Sequence, residues 1–491
     1  MTGALFGYSV GFIGGILVLP SFLHHFQLEN LSAHDVATAQ SRIVSSWLVG
    51  CIVGVPLSVP VCSRYGRKLC ISFSAGLYIV GALLQLLDVH GSLSVFQLGR
   101  LLNGVGVGAG TLVSPIYISE ISPAAQRGAL MSGYQVAIQM FALVGFWGAF
   151  TCHSLFGGNL QWRIPVLIQL LPGIGLFTGS LFLLPESPRW LVGIDESEAA
   201  KQALAWLRMK DHAEPDISTE IAQLQRVFRT QASQVNQPFL KEILSKPLRK
   251  RLLVGAGIMI FQNLVGLNAL NYFSPIIFMS AGFTSVSASL FLTGLFGLVK
   301  VVTALLFMFV FIRVRGNRFW LLLGSAIMGA AMFVLAYCIE SMSASQGSAR
   351  GMISVLMVYI FAFAFGVSLG PISWNVCAEI FPSHINTKAC AVTTCVQWLS
   401  QLLVASITPP LIASIGWGTY VLYGSCCVVA FIWCAAFVPE TRGVAIGPEM
   451  DEAFGDIAKD TAVDVAEVEG DDERSPLLVR HRRRSSVALV V

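Results

Sequence analysis

The sequence predicts an all-α polytopic membrane protein, with twelve transmembrane helices in two pseudo-symmetric six-helix bundles. Three observations carry that prediction: an apolar composition, a series of apolar runs of bilayer length, and loop motifs that occur twice at a near-constant offset. Of 491 residues, 55% are hydrophobic and 12% charged, against about 25% charged in a soluble domain. Mean hydropathy is +0.71. This excludes a soluble globular enzyme, a disordered scaffold and a nucleic-acid binder built on basic patches. The net charge of +4 is small for the length and points to no polyanionic partner.

A helix needs about 20 mostly apolar residues to cross a bilayer. In lipid the backbone must satisfy its own hydrogen bonds, so such runs are helices. Twelve are predicted, at 4–23, 42–62, 69–87, 93–118, 129–152, 164–184, 252–280, 288–312, 319–339, 352–377, 389–413 and 418–438. The first begins almost at Met1, without the basic flank of a cleavable signal peptide. The lack of a cytosolic leader before it fits an incomplete chain start.

Lys and Arg orient the spans. The loops after spans 2, 4, 6, 8 and 10 and the tail hold 26 of the 31 basic residues, whereas 88–92, 281–287 and 414–416 hold none. Arg42, Arg163 and Arg350 stand at outer helix ends. Both termini are therefore predicted to be cytosolic. The polar segment 185–250, with helical stretches at 196–209 and 218–234, separates an N-terminal bundle (1–184) from a C-terminal one (251–438). The tail, 439–491, reads as largely disordered.

The repeat fixes the architecture. Arg64-Tyr-Gly-Arg-Lys68 after span 2 is matched by Arg313-Val-Arg-Gly-Asn-Arg318 after span 8. Glu120-Ile-Ser-Pro after span 4 is matched by Glu379-Ile-Phe-Pro after span 10, and Pro185-Glu-Ser-Pro-Arg189 by Pro439-Glu-Thr-Arg442. The offsets are about 250 residues, as expected of two parallel six-helix halves. A Glu at one helix end can pair with an Arg from a neighbouring loop, and such pairs must break when that side opens. Arg64, Arg67, Glu120, Arg127, Glu186 and Arg189 in the first half, with Arg318, Glu379, Glu440 and Arg442 in the second, are the predicted conformational gate.

Buried amides suit a sugar-like ligand, because each offers one acceptor and two donors without charge. Gln135/Gln139 and Gln397/Gln401 are i,i+4 pairs, each on one helical face. Gly366, Gly370 and Pro371 are expected to break span 10, and Ser274-Pro275 to interrupt the end of span 7. Phe361 and Phe365 are assigned to core packing; Asn271 and Asn375 fit either a packing or a binding role.

Phe6-Gly-Tyr8, Arg100 with Gly104, Gly106 and Gly108, Pro185-Glu-Ser-Pro-Arg-Trp190, Gln262-Asn-Leu-Val-Gly-Leu-Asn268, Gly370-Pro-Ile-Ser-Trp374 and Pro439-Glu-Thr-Arg-Gly443 together resemble the sugar porters of the major facilitator superfamily, close to the fungal hexose transporters. The resemblance covers nearly all of 4–454. It implies the major facilitator fold, a midplane cavity and alternating access. It also implies substrate contacts at Gln135, Gln262, Asn263, Asn268, Trp374, Gln397 and Gln401. The expected function is carriage of monosaccharides, hexose-like in kind.

The chain departs from that family at three places. Many proton-coupled members carry an Asp after the Gly-Tyr of span 1, facing the span 4 arginine; here the residue is Ser9. No Asp or Glu lies in the middle of any predicted span, so facilitated uniport is favoured over proton symport. Arg100 and Lys300 are the two intramembrane cations, candidates for coupling or substrate contact, and they leave room for quinate, another sugar-derived acid or a polyol. Ser63, Val314, Asn317 and Asn386 each remove a charge expected in the gate, which admits a non-transporting sugar sensor as an alternative.

The eleven cysteines sit mostly in apolar runs without metal-ligand spacing. No nucleophile–base pair or phosphate loop is present, so no enzyme activity, cofactor or metal is expected. Glu473-Arg-Ser-Pro-Leu-Leu478 matches an acidic dileucine sorting signal, read through Glu473, Leu477 and Leu478 by sorting adaptors. The expected form is a functional monomer in the plasma membrane, with a vacuolar or endosomal membrane as the alternative.

Overall fold

The computed structural model describes residues 2–17, 19–87, 91–123, 126–211, 214–232, 245–271, 278, 286–341, 349–382, 385–442 and 454. Among them, ten helices are long and apolar enough to cross a membrane, and the shorter apolar helix Thr2–Ile16 adds another. One of the ten, within Ala33–Leu86, holds predicted spans 2 and 3, which join at Gly66. All twelve predicted spans thus have a helical counterpart. The tail beyond 454, including the dileucine motif, lies outside the described residues, as do Ser274 and Pro275.

Span 1 stops at Ile16 rather than at 23. Pro20 then opens a separate short helix, Pro20–His25, because proline fits a helix's first turn and not its interior. Span 6 is two pieces, Leu160–Ile168 and Leu170–Phe182, meeting at the fully buried Gln169. Span 8, Val286–Leu306, continues through a π-helical turn at Phe307–Phe311, which nothing in the sequence pattern announced. Span 10 breaks as expected: Ala349–Gly366 ends, Ser368 adopts φ −130° and ψ −106°, and Leu369–Glu379 resumes. Pro371 falls in the first turn of that second piece, where its missing N–H costs no helical bond.

The halves are built by close helix approach. A β-carbon at Gly104 would overlap the carbonyl of Trp47, and one at Gly108 the carbonyl of Cys51, so span 4 rides directly on span 2. Packing explains the glycine run of span 4. Among its described residues the polar segment supplies three helices, Pro188–Gly193, Ser197–Arg208 and Pro215–Ala232, around a small core of Leu191, Val192, Leu204, Ile217 and Ile221. Arg208 ties this layer to the membrane helices by donating to Ile121 O at 3.0 Å while pairing with Glu220 at 2.8 Å. Phe454 is buried at the start of span 7, where the Arg251 guanidinium lies 5.2 Å from its ring. All eleven cysteines are free thiols.

Candidate functional site

A partly open cavity lies between the halves, lined from both of them. Each predicted substrate contact borders it: Gln135 from span 5, Gln262, Asn263 and Asn268 from span 7, Trp374 from span 10, and Gln397 and Gln401 from span 11. Gln139, Asn271 and Lys300 add further polar groups, and Phe6, Val10 and Phe365 add apolar surface. Phe365 packs in the core as expected and also borders the cavity. Phe361 remains in the core.

Local backbone geometry gathers the span 7 amides. Lys246–Leu264 ends just before Gly266, which adopts φ +97°. Glycine reaches that region without steric cost. A β-carbon there would also meet the Tyr423 ring at 2.7 Å. The turn carries Asn268 back onto Asn263, and its Nδ2 donates to Asn263 Oδ1 at 2.7 Å. Asn263 Nδ2 donates in turn to Met259 O (2.9 Å) and across to Gln397 O of span 11 (3.3 Å). Gln262 Nε2 donates to Leu369 O and Gly370 O, at the start of the second piece of span 10, at 3.3 and 3.2 Å.

Two acceptors remain. Gln262 Oε1 and Gln397 Oε1 are buried without a hydrogen-bond partner among the described residues. Gln397 Nε2 is spent on Gln401 Oε1 at 3.2 Å. Buried acceptors left open are costly, and a hydroxylated ligand would satisfy them. Lys300 stands on the span 8 wall, half-buried, with Nζ 2.7 Å from Asn271 Oδ1 and 4.8 Å from the Phe296 ring centroid. It is the one titratable side chain among the described lining residues.

Arg100 does not border the cavity. It is 1% exposed, stacked 5.3 Å from Trp47 and 5.8 Å from Phe12, inside the first half. Beside it Ser9 Oγ contacts Tyr78 OH and Asn103 Oδ1, both at 3.3 Å. Asn103 also receives Trp47 Nε1 at 3.1 Å and reaches Gln169 at 3.4 Å. Of these described residues, Ser9, Tyr78, Asn103, Trp47 and Gln169, none is a carboxylate. Trp47 links it to the other half, packing 5.5 Å from Trp398, whose Nε1 donates to Thr111 Oγ1 at 3.2 Å.

Between the amides and the basic helix ends the halves are closed. Tyr134, Ile138, Met259, Trp374 and Cys377 form one apolar cluster, with the Tyr134 and Trp374 rings 5.8 Å apart. Asn375 Nδ2 lies 3.5 Å from Ser132 Oγ across the same interface.

The predicted gate residues divide into three arrangements. Arg67 pairs with Glu120 through two bonds, at 2.7 and 2.9 Å. Glu186 and Glu440 pair chiefly with backbone instead. Glu186 accepts from Arg67 N at 2.8 Å, Lys68 N at 3.1 Å and Ser187 N at 2.8 Å. Glu440 accepts from Asn317 N at 2.8 Å, Arg318 N at 3.2 Å and Arg442 N at 3.0 Å. Each carboxylate thus caps the N-terminus of the helix that follows the Gly66 or Gly316 turn, where free N–H groups and the helix dipole favour negative charge. Burial pushes the Glu186 carboxyl up, against those amides and Arg67. Burial pushes the Arg189 guanidinium down, against the attraction of Glu120.

The remaining arginines are not gate ion pairs of the expected kind. Arg318 and Arg442 side chains donate to the carbonyls of Ala435 (2.6 Å) and Arg313 (2.7 Å). Arg64 is exposed and joins no ion pair among the described residues. Glu379 has no ion pair within 4 Å among them either, and the charge that acts on it is Arg127 of the opposite half. The sequence missed Phe6 and Val10 as wall residues, since nothing distinguishes them from other apolar residues of their helices.

Comparison with known proteins agrees with this geometry. Residues 1–454 match the family model described as "Sugar (and other) transporter". A probable quinate permease of Neosartorya fischeri is 31% identical over 464 residues, covering 92% of this chain and 85% of that protein. The quinate permease of Emericella nidulans is 31% identical over 458 residues, covering 91% and 85%. The proton:xylose symporter XylE bound to 6-bromo-6-deoxy-D-glucose superposes with a TM-score of 0.81 at 25% identity, covering 92% of this chain and 96% of that one. Inward-open XylE from E. coli superposes less well, at 0.69 and 24% identity, covering 92% and 97%. The twelve helices form the two bundles of a major facilitator transporter, an integral membrane protein and not an enzyme. The chain belongs to the sugar transporter family of that superfamily.

Proposed function

We propose that this chain carries a polyhydroxylated ring acid of the quinate kind across a membrane by alternating access, its halves 1–184 and 251–438 rocking about the cavity. The observation that carries this reading is Lys300. An ammonium in a cavity otherwise lined by neutral amides and apolar groups suits a ligand with several hydroxyls and one carboxylate. The open acceptors of Gln262 and Gln397 take hydroxyl donors, Asn268 and Gln135 complete the ring of amides, and Trp374 covers an apolar face. The names of the relatives from N. fischeri and E. nidulans support the same ligand class.

A neutral hexose is the second reading, favoured by the amide set and by the sugar-bound XylE likeness. Uptake of labelled quinate and labelled hexoses into proteoliposomes, each competed by the other, tests the two. Quinate uptake reduced at least tenfold by Lys300→Gln supports the first reading. Hexose uptake indifferent to that change supports the second. No transport of either would leave the sensor reading. A carboxylate coupler is missing at Ser9, so coupling through span 1 is not part of the proposal. The plasma membrane is the proposed site of action, and fluorescence of the tagged full chain checks it.

A further inference from the structure

From the position of Lys300 we infer that this residue, and not a carboxylate, binds the proton that accompanies the substrate, so that anion and proton enter together. The inference rests on the quinate-class reading. Lys300 is the only titratable side chain among the described lining residues, and its partners are neutral: Asn271 Oδ1 at 2.7 Å and the Phe296 ring. A lysine of this kind exchanges its proton readily when its surroundings change.

Among the described residues, the groups facing it from packed elements bring no second charge to it. Span 5 brings Gln139 to the cavity, and its charged residues, Arg127 and His153, stand at the helix ends, about 20 Å away by helical rise. Span 10 brings Phe365, and its Tyr359 hydroxyl is bonded to Leu292 O at 3.0 Å; Arg350 is at that helix's outer end. Span 7 brings Asn271. On span 8 itself the next charge is Arg313, beyond the π-helical turn.

The step balances simply. On the outer side a hydronium ion gives its proton to the Lys300 amine, and the carboxylate binds the resulting ammonium. On the inner side the carboxylate leaves, and the ammonium returns its proton to water. Proton and anion strengthen each other's binding by the same factor, about 5- to 150-fold for typical couplings. The loaded passage moves no net charge.

The test uses the full chain in proteoliposomes with labelled quinate. Equal-pH exchange comes first: its absence overturns the quinate reading and the linkage with it. With exchange present, an acid exterior should drive about tenfold accumulation per pH unit, independent of a clamped membrane potential. Lys300→Arg, which keeps the charge but holds its proton, should lose that accumulation, and whatever net uptake it keeps should become voltage-dependent, because the empty return then carries the arginine's charge. Quinate methyl ester, lacking the anion, should exchange without responding to the pH gradient in the unaltered protein, which decides the matter even where the variant is inactive. Exchange without accumulation, accumulation by Lys300→Arg, or accumulation of the ester would each overturn the linkage.

Discussion

Arg67 holds Glu120 with two guanidinium nitrogens, and both side chains are more than nine-tenths buried. The matched pair in the second half does not exist, because position 317 is Asn and its Nδ2 turns to Thr441 Oγ1 at 3.0 Å. Position 386, which matches Arg127 in the repeat, is also Asn, and its Oδ1 accepts from Cys390 Sγ at 2.9 Å. Glu379 is therefore left to the electrostatic influence of Arg127 across the interface.

Breaking the Arg67–Glu120 pair strands one buried charge. Arg67→Ala should destabilise the folded transporter by about 3–5 kcal/mol. Thermal unfolding of the purified protein in detergent checks this. The double variant Arg67→Ala/Glu120→Ala should recover much of the loss, since no lone charge remains.

Restoring a cation near Glu379 should weaken its dependence on the opposite half. In Asn386→Arg, the cost of Arg127→Gln is expected to fall by about 0.5–2 kcal/mol relative to the unaltered background, in the range of contacting pairs. A double-mutant cycle on thermal stability measures it. A coupling of zero would show that a cation at 386 does not take over the role of Arg127.

Gly66 joins spans 2 and 3 at φ +91°, and a β-carbon there would overlap Glu186 Oε2. Gly66→Ala should cost about 1–3 kcal/mol from backbone strain alone, with loss of the Glu186 cap in addition. Gly316→Ala should lose the Glu440 cap without the strain, because Gly316 sits at φ −72°. Comparing the two unfolding midpoints separates strain from capping.

Inside the cavity, Gln262→Leu with Asn268→Leu removes the donor to Leu369 O and Gly370 O, the donor to Asn263 Oδ1, and one open acceptor. Transport should fall by tenfold or more at unchanged membrane abundance, as expected when a site's hydrogen bonds are lost at about 1–3 kcal/mol each. Uptake normalised to the amount of protein in the vesicles provides the check. Retained transport would remove these amides from the site.

The sequence by itself determined the helices and the amide set. Twenty-residue apolar runs admit only one backbone solution in lipid, and the i,i+4 spacing of Gln135/Gln139 and Gln397/Gln401 places each pair on one face of its helix. Tertiary structure alone decided which polar groups meet. Asn271 and Lys300 lie on different spans, and only packing sets Nζ 2.7 Å from its amide. Glu186 and Glu440 read as ion-pair partners, yet they cap helices, because free N–H groups at a helix start compete with arginine for a carboxylate. The turn at Gly266 packs against the Tyr423 ring, a contact that no local pattern encodes.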